Sequence, residues 1–266
     1  MIVFGSELRY HPKLREEKLS PFLPLANLYY QMLGIFGFYG GGEYLRSLYF
    51  RKVLKRYKFA VDSVLDAGCG YGYYAFYLAR KYPRASIQAC DFDAEMIKEN
   101  KQIRNLLKLD NLKFFEADLV EFYAGEKYDF IFSIDVLEAI EDDEKVVRNL
   151  SGSLKNGGYF LLHIPRRDTT GGEDWWEEEC PYRVREGYTL KEISRLLERN
   201  GLEIQEVVHT FGPLGMAANK VDFLIRKRFL KKMFAVPLNC INFLDSLFPH
   251  REGHAFLVVA RKRRAD

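Results

Sequence analysis

A chain of 266 residues, 48% of them hydrophobic, is long enough for one large α/β domain with a modest appendage and rich enough to fill its core. A net charge of only +3 argues against a general nucleic-acid binder, and Cys69, Cys90, Cys180 and Cys240 have neither paired spacing nor histidine neighbours, which argues against a metal site or disulfide framework and for a reducing compartment. No segment reads as a secretory leader and no run approaches the ~20 apolar residues of a spanning helix, so the expectation is a cytoplasmic protein, soluble or peripheral to a membrane.

Residues 1–58 read as an N-terminal helical cap. Pro21 opens an apolar, tyrosine-rich segment, Leu25 to Tyr39, broken by Gly34, Gly37 and the run Gly40-Gly41-Gly42. Glu43 to Tyr57 has the period of an amphipathic helix, with Leu45, Leu48, Tyr49, Val53 and Leu54 on one face. Two readings stay open: a helix covering a sheet edge, or a glycine-hinged lid in which Tyr39 and Tyr44 present polar tips to a substrate.

The stretch Val64-Leu-Asp-Ala-Gly-Cys-Gly-Tyr-Gly72 then ends a strand in a glycine loop. Gly68, Gly70 and Gly72 let the backbone turn sharply and approach a ligand, and Tyr73–Lys81 begins a helix whose N-terminus points at it. Asp91 closes the apolar run Ala85–Cys90 about 20 residues later, the place of a ribose-binding acid in doubly wound folds. The dinucleotide fingerprint has its third glycine after a two-residue gap, where Tyr73 stands here. Asp66 would also repel a pyrophosphate where the helix end attracts it. The loop therefore suits a ligand with a cationic amino group.

Beyond the loop, strand and helix alternate. Strands are expected at Val61–Asp66, Ser86–Asp91 and Leu112–Glu116, with helices at Tyr73–Lys81 and Ala94–Leu107. Tyr128–Ile134 is a nearly continuous apolar run, as a central strand requires. A helix over Asp142–Leu154, a turn at Lys155–Gly158 and a strand over Tyr159–Ile164 follow.

The order and spacing of Val64–Gly72 resemble the class I S-adenosylmethionine (SAM)-dependent methyltransferases. Tyr128–Asp135, Val136–Asp142, Leu154–Leu162 and Glu186–Leu202 are similar to later parts of the same family. The resemblance spans about Val61 to Val208, returns at Ala255–Ala260, and leaves the first sixty residues and Gly212–Gly253 uncovered. It implies an α/β fold: a doubly wound, mostly parallel, seven-stranded Rossmann-like sheet in residues 59–266. A helical insertion at about 212–253 would precede the last strand.

The resemblance also implies roles. Asp66 would lie near the methionine amino group of SAM. Gly68, Gly70 and Gly72 would pass close to the cofactor, with Cys69 and Tyr71 lining the passage. Asp91 would accept hydrogen bonds from both ribose hydroxyls and Phe92 would pack on the adenine. Asp118 would take the adenine amino group, Leu119 would supply a backbone donor, and Ser133 would border the methionine moiety. Many relatives carry a histidine where Ala139 stands, so Asp135 and His163, at carboxyl ends of central strands, are the candidate bases. Each also suits a structural role: Asp118 and Asp135 as turn caps, His163 as a core histidine. His209 and Trp175-Trp176 are further candidates for shaping an acceptor pocket. No metal is implied.

In the insertion, Val221, Phe223, Leu224, Ile225, Phe229 and Leu230 alternate with Lys220, Arg226, Lys227, Arg228, Lys231 and Lys232. This fits either a packed apolar face under a solvated basic one or a basic amphipathic element at a membrane surface. Ser133-Ile-Asp-Val136 lacks the Asn/Asp-Pro-Pro-aromatic signature used on planar amino groups, and the apolar flanking segments favour a small-molecule or lipid-like acceptor. Two alternatives remain: an NAD-type oxidoreductase, opposed by the glycine spacing and Asp66, and a SAM-binding or membrane-peripheral protein without catalysis, which Ala139 favours.

Overall fold

The computed structural model describes residues 41–57, 59, 61–169, 183–225 and 228–264. The segment Leu25–Tyr39, Trp175-Trp176 and Cys180 lie outside the described residues, and so does the lid reading built on Tyr39. In chain order the elements are α1 (Gly41–Tyr57), β1 (Ser63–Ala67), α2 (Tyr73–Lys81), β2 (Ser86–Asp91), α3 (Ala94–Leu106), β3 (Leu112–Glu116), β4 (Tyr128–Ile134), α4 (Asp143–Ser153), β5 (Leu154–Pro165), α5 (Leu190–Arg199), β6 (Leu202–Thr210), α6 (Pro213–Leu224), α7 (Arg228–Leu247) and β7 (Ala255–Lys262). They fall into two compact units: a sheet unit within 57–169, 183–208 and 255–264, and a helical unit of 41–56 and 209–254.

The sheet has seven strands in the order β3-β2-β1-β4-β5-β7-β6. β1 to β5 pair in parallel, and β7 runs antiparallel to β5. This is the doubly wound, mostly parallel sheet expected from the sequence. The chain winds outward from β1 to β3 and returns on the other side of β1 at β4. Ligands bind such sheets at the carboxyl ends of the strands beside that reversal. β4 is buried at Tyr128 and from Phe130 to Ser133, as a strand covered on both faces must be. Phe59 stacks on Phe130 with centroids 4.6 Å apart, and Phe130 lies 5.6 Å from Phe132.

Local chemistry sets the ends of the helices. Asp93 caps α3 by accepting the amides of Glu95 and Met96, Asp142 caps α4 through the Lys145 amide, and Thr189 and Glu192 form a capping box on α5. Boundaries in the sheet also differ from expectation. β1 starts at Ser63 rather than Val61 and runs on through Ala67. The turn Lys155–Gly158 is absorbed into β5 as an irregularity: Tyr128 pairs with Leu154 but Phe130 pairs with Tyr159. Glycine makes that possible, because a Cβ on Gly158 would lie 2.9 Å from the Lys155 carbonyl oxygen and 3.1 Å from that of Asp129.

In the helical unit α1 buries Leu45, Tyr49, Phe50, Val53 and Leu54, whereas α6 and α7 bury mostly small and polar residues. α6 buries Gly215, Ala218, Asn219 and Asp222, and α7 buries Asn242, Asp245 and Ser246 together with Ala235 and Leu238. Asn242 donates to the Gly41 carbonyl at 2.9 Å, and Asp245 accepts the Gly212 amide at 3.1 Å and lies 3.2 Å from His250 Nε2. α1 starts at Gly41 rather than Glu43. A Cβ on Gly41 would lie 2.9 Å from Asn219 Oδ1, so the first turn can approach α6 only as glycine. Phe50, rather than Leu48, completes its buried face. Of the apolar residues expected on one face of the insertion, Val221 and Leu224 are exposed and Phe223, Ile225 and Leu230 are half-buried, while Asn219 and Asp222 lie inside.

Candidate active site

The loop after β1 carries three left-handed residues at alternate positions, Gly68 at φ 79°, Gly70 at φ 50° and Gly72 at φ 72°. At Gly68 the need for glycine is twofold, since a Cβ there would lie 2.5 Å from the Val136 side chain beyond β4. The loop is pinned to the end of β2. The amides of Gly68 and Cys69 donate to the Cys90 carbonyl at 2.9 and 2.8 Å, and the Gly70 amide donates to Asp91 Oδ2 at 2.9 Å. Asn100 on α3 donates to the Gly70 carbonyl at 2.7 Å. Cys69 is buried against the loop and Tyr71 is half-buried.

Asp66 and Asp91 end neighbouring strands on either side of this loop. Asp66 is 2% exposed, and its Oδ2 is buried without a hydrogen-bond partner among the described residues. Burial, and then the negative charge of Asp91, push the Asp66 carboxyl well above its ordinary range, while the Ala75 amide pulls it back. Asp91 is also raised by burial, against the pull of the amides of Gly70, Asp93 and Phe92. Its two oxygens each accept one loop amide, Gly70 at 2.9 Å and Asp93 at 3.1 Å, which leaves one lone pair on each for a ligand. A buried carboxylate with a vacant oxygen beside an open glycine loop fits an ammonium group, and a twofold acceptor beyond it fits a vicinal diol. Both are parts of SAM.

The remaining predicted positions lie along the same ends of the strands. Phe92 follows Asp91 and is 58% exposed. Asp118 sits in the turn after β3, where its Oδ1 accepts the Val120 amide at 2.9 Å, and the neighbouring Ala117 amide donates to the Asp91 carbonyl. The Leu119 side chain is buried and its carbonyl accepts from Asn149. Ser133 is buried and spends its hydroxyl proton on the Ala67 carbonyl at 2.9 Å, tying β4 to β1 under the loop.

Asp135 and His163 meet. Asp135 follows β4 with a left-handed φ of 52°, its amide donates to the His163 carbonyl, and its Oδ1 lies 2.5 Å from His163 Nδ1. The His163 side chain is 2% exposed and that of Asp135 15%, so the carboxylate is the more accessible member and the imidazole stands behind it. His209 lies in the other unit, in an isolated bridge to His250.

Sequence reasoning missed a network behind Asp135. The Glu138 carbonyl accepts the amides of Val184 and Arg185, Arg185 bonds Asp143 and the Tyr188 hydroxyl, and that hydroxyl donates to Asp143 at 2.8 Å. Burial, then Asp143, raise the Tyr188 phenol far above its ordinary pKa. These contacts fasten residues 183–188 to the turn after β4. Partners more than forty positions apart leave no local period to read. Val136 and Asn100, which shape the loop from other elements, were missed for the same reason.

The profile of a family described as a methyltransferase domain matches residues 59–210, more than half of the chain. The chain belongs to the class I SAM-dependent methyltransferase family. The chain is 30% identical over 109 residues to a malonyl-[acyl-carrier protein] O-methyltransferase of Ilyobacter polytropus, covering 41% of each chain. It is 27% identical over 129 residues to (S)-coclaurine N-methyltransferase of Papaver somniferum, covering 43% of this chain and 35% of that one. It thus spans about two-fifths of the length of the curated relatives it matches. Its fold is similar to that of a phosphoethanolamine N-methyltransferase of Haemonchus contortus solved with SAM, at a TM-score of 0.54 and 17% identity, over 76% of this chain and 49% of that one. SAM is the cofactor that membership brings. Among the described residues no helix is long and apolar enough to cross a membrane, and no cluster of His, Cys, Asp and Glu could hold a metal.

Proposed function

We propose that the protein transfers the methyl group of SAM to a small-molecule or lipid-like acceptor, in the cytoplasm. The observation that carries this reading is the vacant, buried Oδ2 of Asp66 beside the glycine loop. SAM supplies an electrophilic methyl on a sulfonium, so the acceptor need only be held in line at ~3–3.5 Å, with its proton removed where it has one.

The chain's own residues divide that work. Asp66 neutralises the amino group, Asp91 orients the ribose, Gly70 opens the backbone between them, and Phe92 offers a ring face to the adenine. Asp118 and Leu119 flank the adenine, while Cys69, Tyr71 and the Ser133 region border the rest of the cofactor. Asp135 is the group that would accept a proton from the acceptor. His163 is its positioning residue, because its Nδ1 holds the carboxylate from the buried side. The curated relatives are named for acceptors as unlike as malonyl-acyl-carrier protein and coclaurine. The family match stops at residue 210, so the acceptor is argued from the apolar composition of the segments outside it.

The test is incubation of the full chain with methyl-labelled SAM and fractionated small-molecule and lipid extracts. Labelled product in a lipid or small-molecule fraction is expected, reduced about 10²–10⁴-fold by Asp135→Asn with SAM affinity unchanged. Tight SAM binding with no product in any fraction would overturn the transfer reading.

A further inference from the structure

Eleven of the fifteen large hydrophobic side chains exposed among the described residues lie between Leu214 and Phe248. Every exposed residue of α7 from Met233 to Leu247 is apolar, with Val236 71% and Leu247 52% exposed, and α6 turns Leu214, Val221 and Leu224 outward. The inward positions are the Asn, Asp, Ser, Gly and Ala residues described above, with Leu238 the one large apolar side chain among them. This is the reverse of a helix packed on a core in water. Nor can the helices simply roll over, because that would break Asn242 from Gly41 and Asp245 from Gly212 and His250.

Charge identifies what the outer face meets. The stretch 212–253 carries seven Lys and Arg against three acids, and five of the seven fall within the run Arg226-Lys-Arg-Phe-Leu-Lys-Lys232. Two of the acids, Asp222 and Asp245, are buried: Asp222 lies 3.7 Å from Lys231, and Asp245 faces Gly212 and His250. A wide apolar face on two helices whose connecting sequence is a basic run matches acyl chains beneath anionic headgroups. A second copy of this face would bring another positive cluster, and Glu252 is the one exposed acid of the stretch 212–253 to set against it. α7 contains Pro237, and no described helix satisfies the length and apolarity of a span, so the fitting geometry is flat.

We propose that the outer face of α6 and α7 docks in the plane of an anionic phospholipid surface. Methyl transfer is not the readout of its test, so the two readings fail separately. The full chain is sedimented with vesicles of phosphatidylcholine alone and of phosphatidylcholine mixed equally with phosphatidylglycerol. Binding to the anionic vesicles is expected to be about tenfold tighter or more, and to weaken as salt rises. Val236→Glu with Leu244→Glu, and separately Arg226→Glu with Lys227→Glu, should each weaken it about tenfold while circular dichroism and melting stay unchanged. Equal or absent binding to the two vesicle types overturns the proposal. So does a concentration-dependent dimer in ultracentrifugation that Val236→Glu abolishes, which would assign the face to a second copy.

Discussion

Asp66 and Asp91 are both pushed upward by burial, yet they are equipped for different partners. Asp91 gives one lone pair of each oxygen to the loop and keeps the others, whereas Asp66 keeps a whole oxygen. Above the ordinary value of 3.8, and up to its raised one, Asp66 in the cofactor-free fold holds a proton that the unfolded chain has released. The folded state therefore binds more protons than the unfolded one in that window, and the contribution of Asp66 to stability falls as pH rises through it. A neighbouring ammonium reverses the preference, so binding SAM should expel that proton. Calorimetric titration in buffers of different ionisation enthalpy should show proton release, and affinity rising with pH through this window. Affinity should fall again as the cofactor's own α-amino group, ordinarily at about 7.7–8.0, deprotonates. Asp66→Asn should flatten the rising limb; proton release persisting in that variant would remove Asp66 from the amino-group site. Asp91→Ala should weaken SAM binding about tenfold or more, from the loss of charge-assisted bonds worth ~1.5–3 kcal/mol, with little change in circular dichroism. Unchanged affinity would end its ribose role. Both acids were legible in the sequence because spacing alone places them at adjacent strand ends. The engagement of Ser133 with Ala67 was not, since it follows from which strands lie side by side.

At the scale of elements, legibility followed local period. β2, β3 and β4 match their expected limits because apolar runs end at charged or turn residues. β5 did not, because Asn156-Gly157-Gly158 reads as a turn, and only the neighbouring strand shows that those residues bulge within a strand. For α6 and α7 two readings stayed open, because an alternation of apolar and basic residues says which sides a helix has, but not which side meets the interior. The glycine loop offers a graded test of the packing argument. Gly68 and Gly70 are both left-handed, so alanine at either carries strain of ~1–3 kcal/mol. At Gly70 the new Cβ would meet only Met96 Sδ at 3.9 Å, while at Gly68 it would strike Val136 at 2.5 Å, adding another ~1–3 kcal/mol. Thermal unfolding should thus show Gly68→Ala well below Gly70→Ala, with Val136→Ala recovering part of the difference. Equal melting points for the two variants would show that the loop yields, and that Val136 does not fix its course.

For the whole molecule, the family match ends at 210, two residues after the sheet unit first gives way to the helical one at 208, and the stretch 209–254 organises itself around Asp245. That carboxylate is 1% exposed, accepts the Gly212 amide, faces His250, and raises the phenol of Tyr49 after burial has done most of the lifting. Sequence could not single it out, because in Asn242-Phe-Leu-Asp-Ser-Leu247 it looks like the one solvated residue of an apolar helix. Replacing it strands the Gly212 amide and takes the carboxylate from His250, whose Nε2 keeps the backbone carbonyl of residue 245 at 2.9 Å, a loss of ~1–3 kcal/mol. Asp245→Ala in the full chain should therefore lower the melting point by several degrees and open the 209–254 stretch to limited proteolysis. Every residue assigned to the cofactor lies in the sheet unit, so SAM affinity of the surviving folded protein should stay within about twofold, under 0.5 kcal/mol. A larger loss of affinity at full folding would make the helical unit part of the cofactor site. An unchanged melting point would mean that its polar interior is not what holds the apolar side of α7 outward.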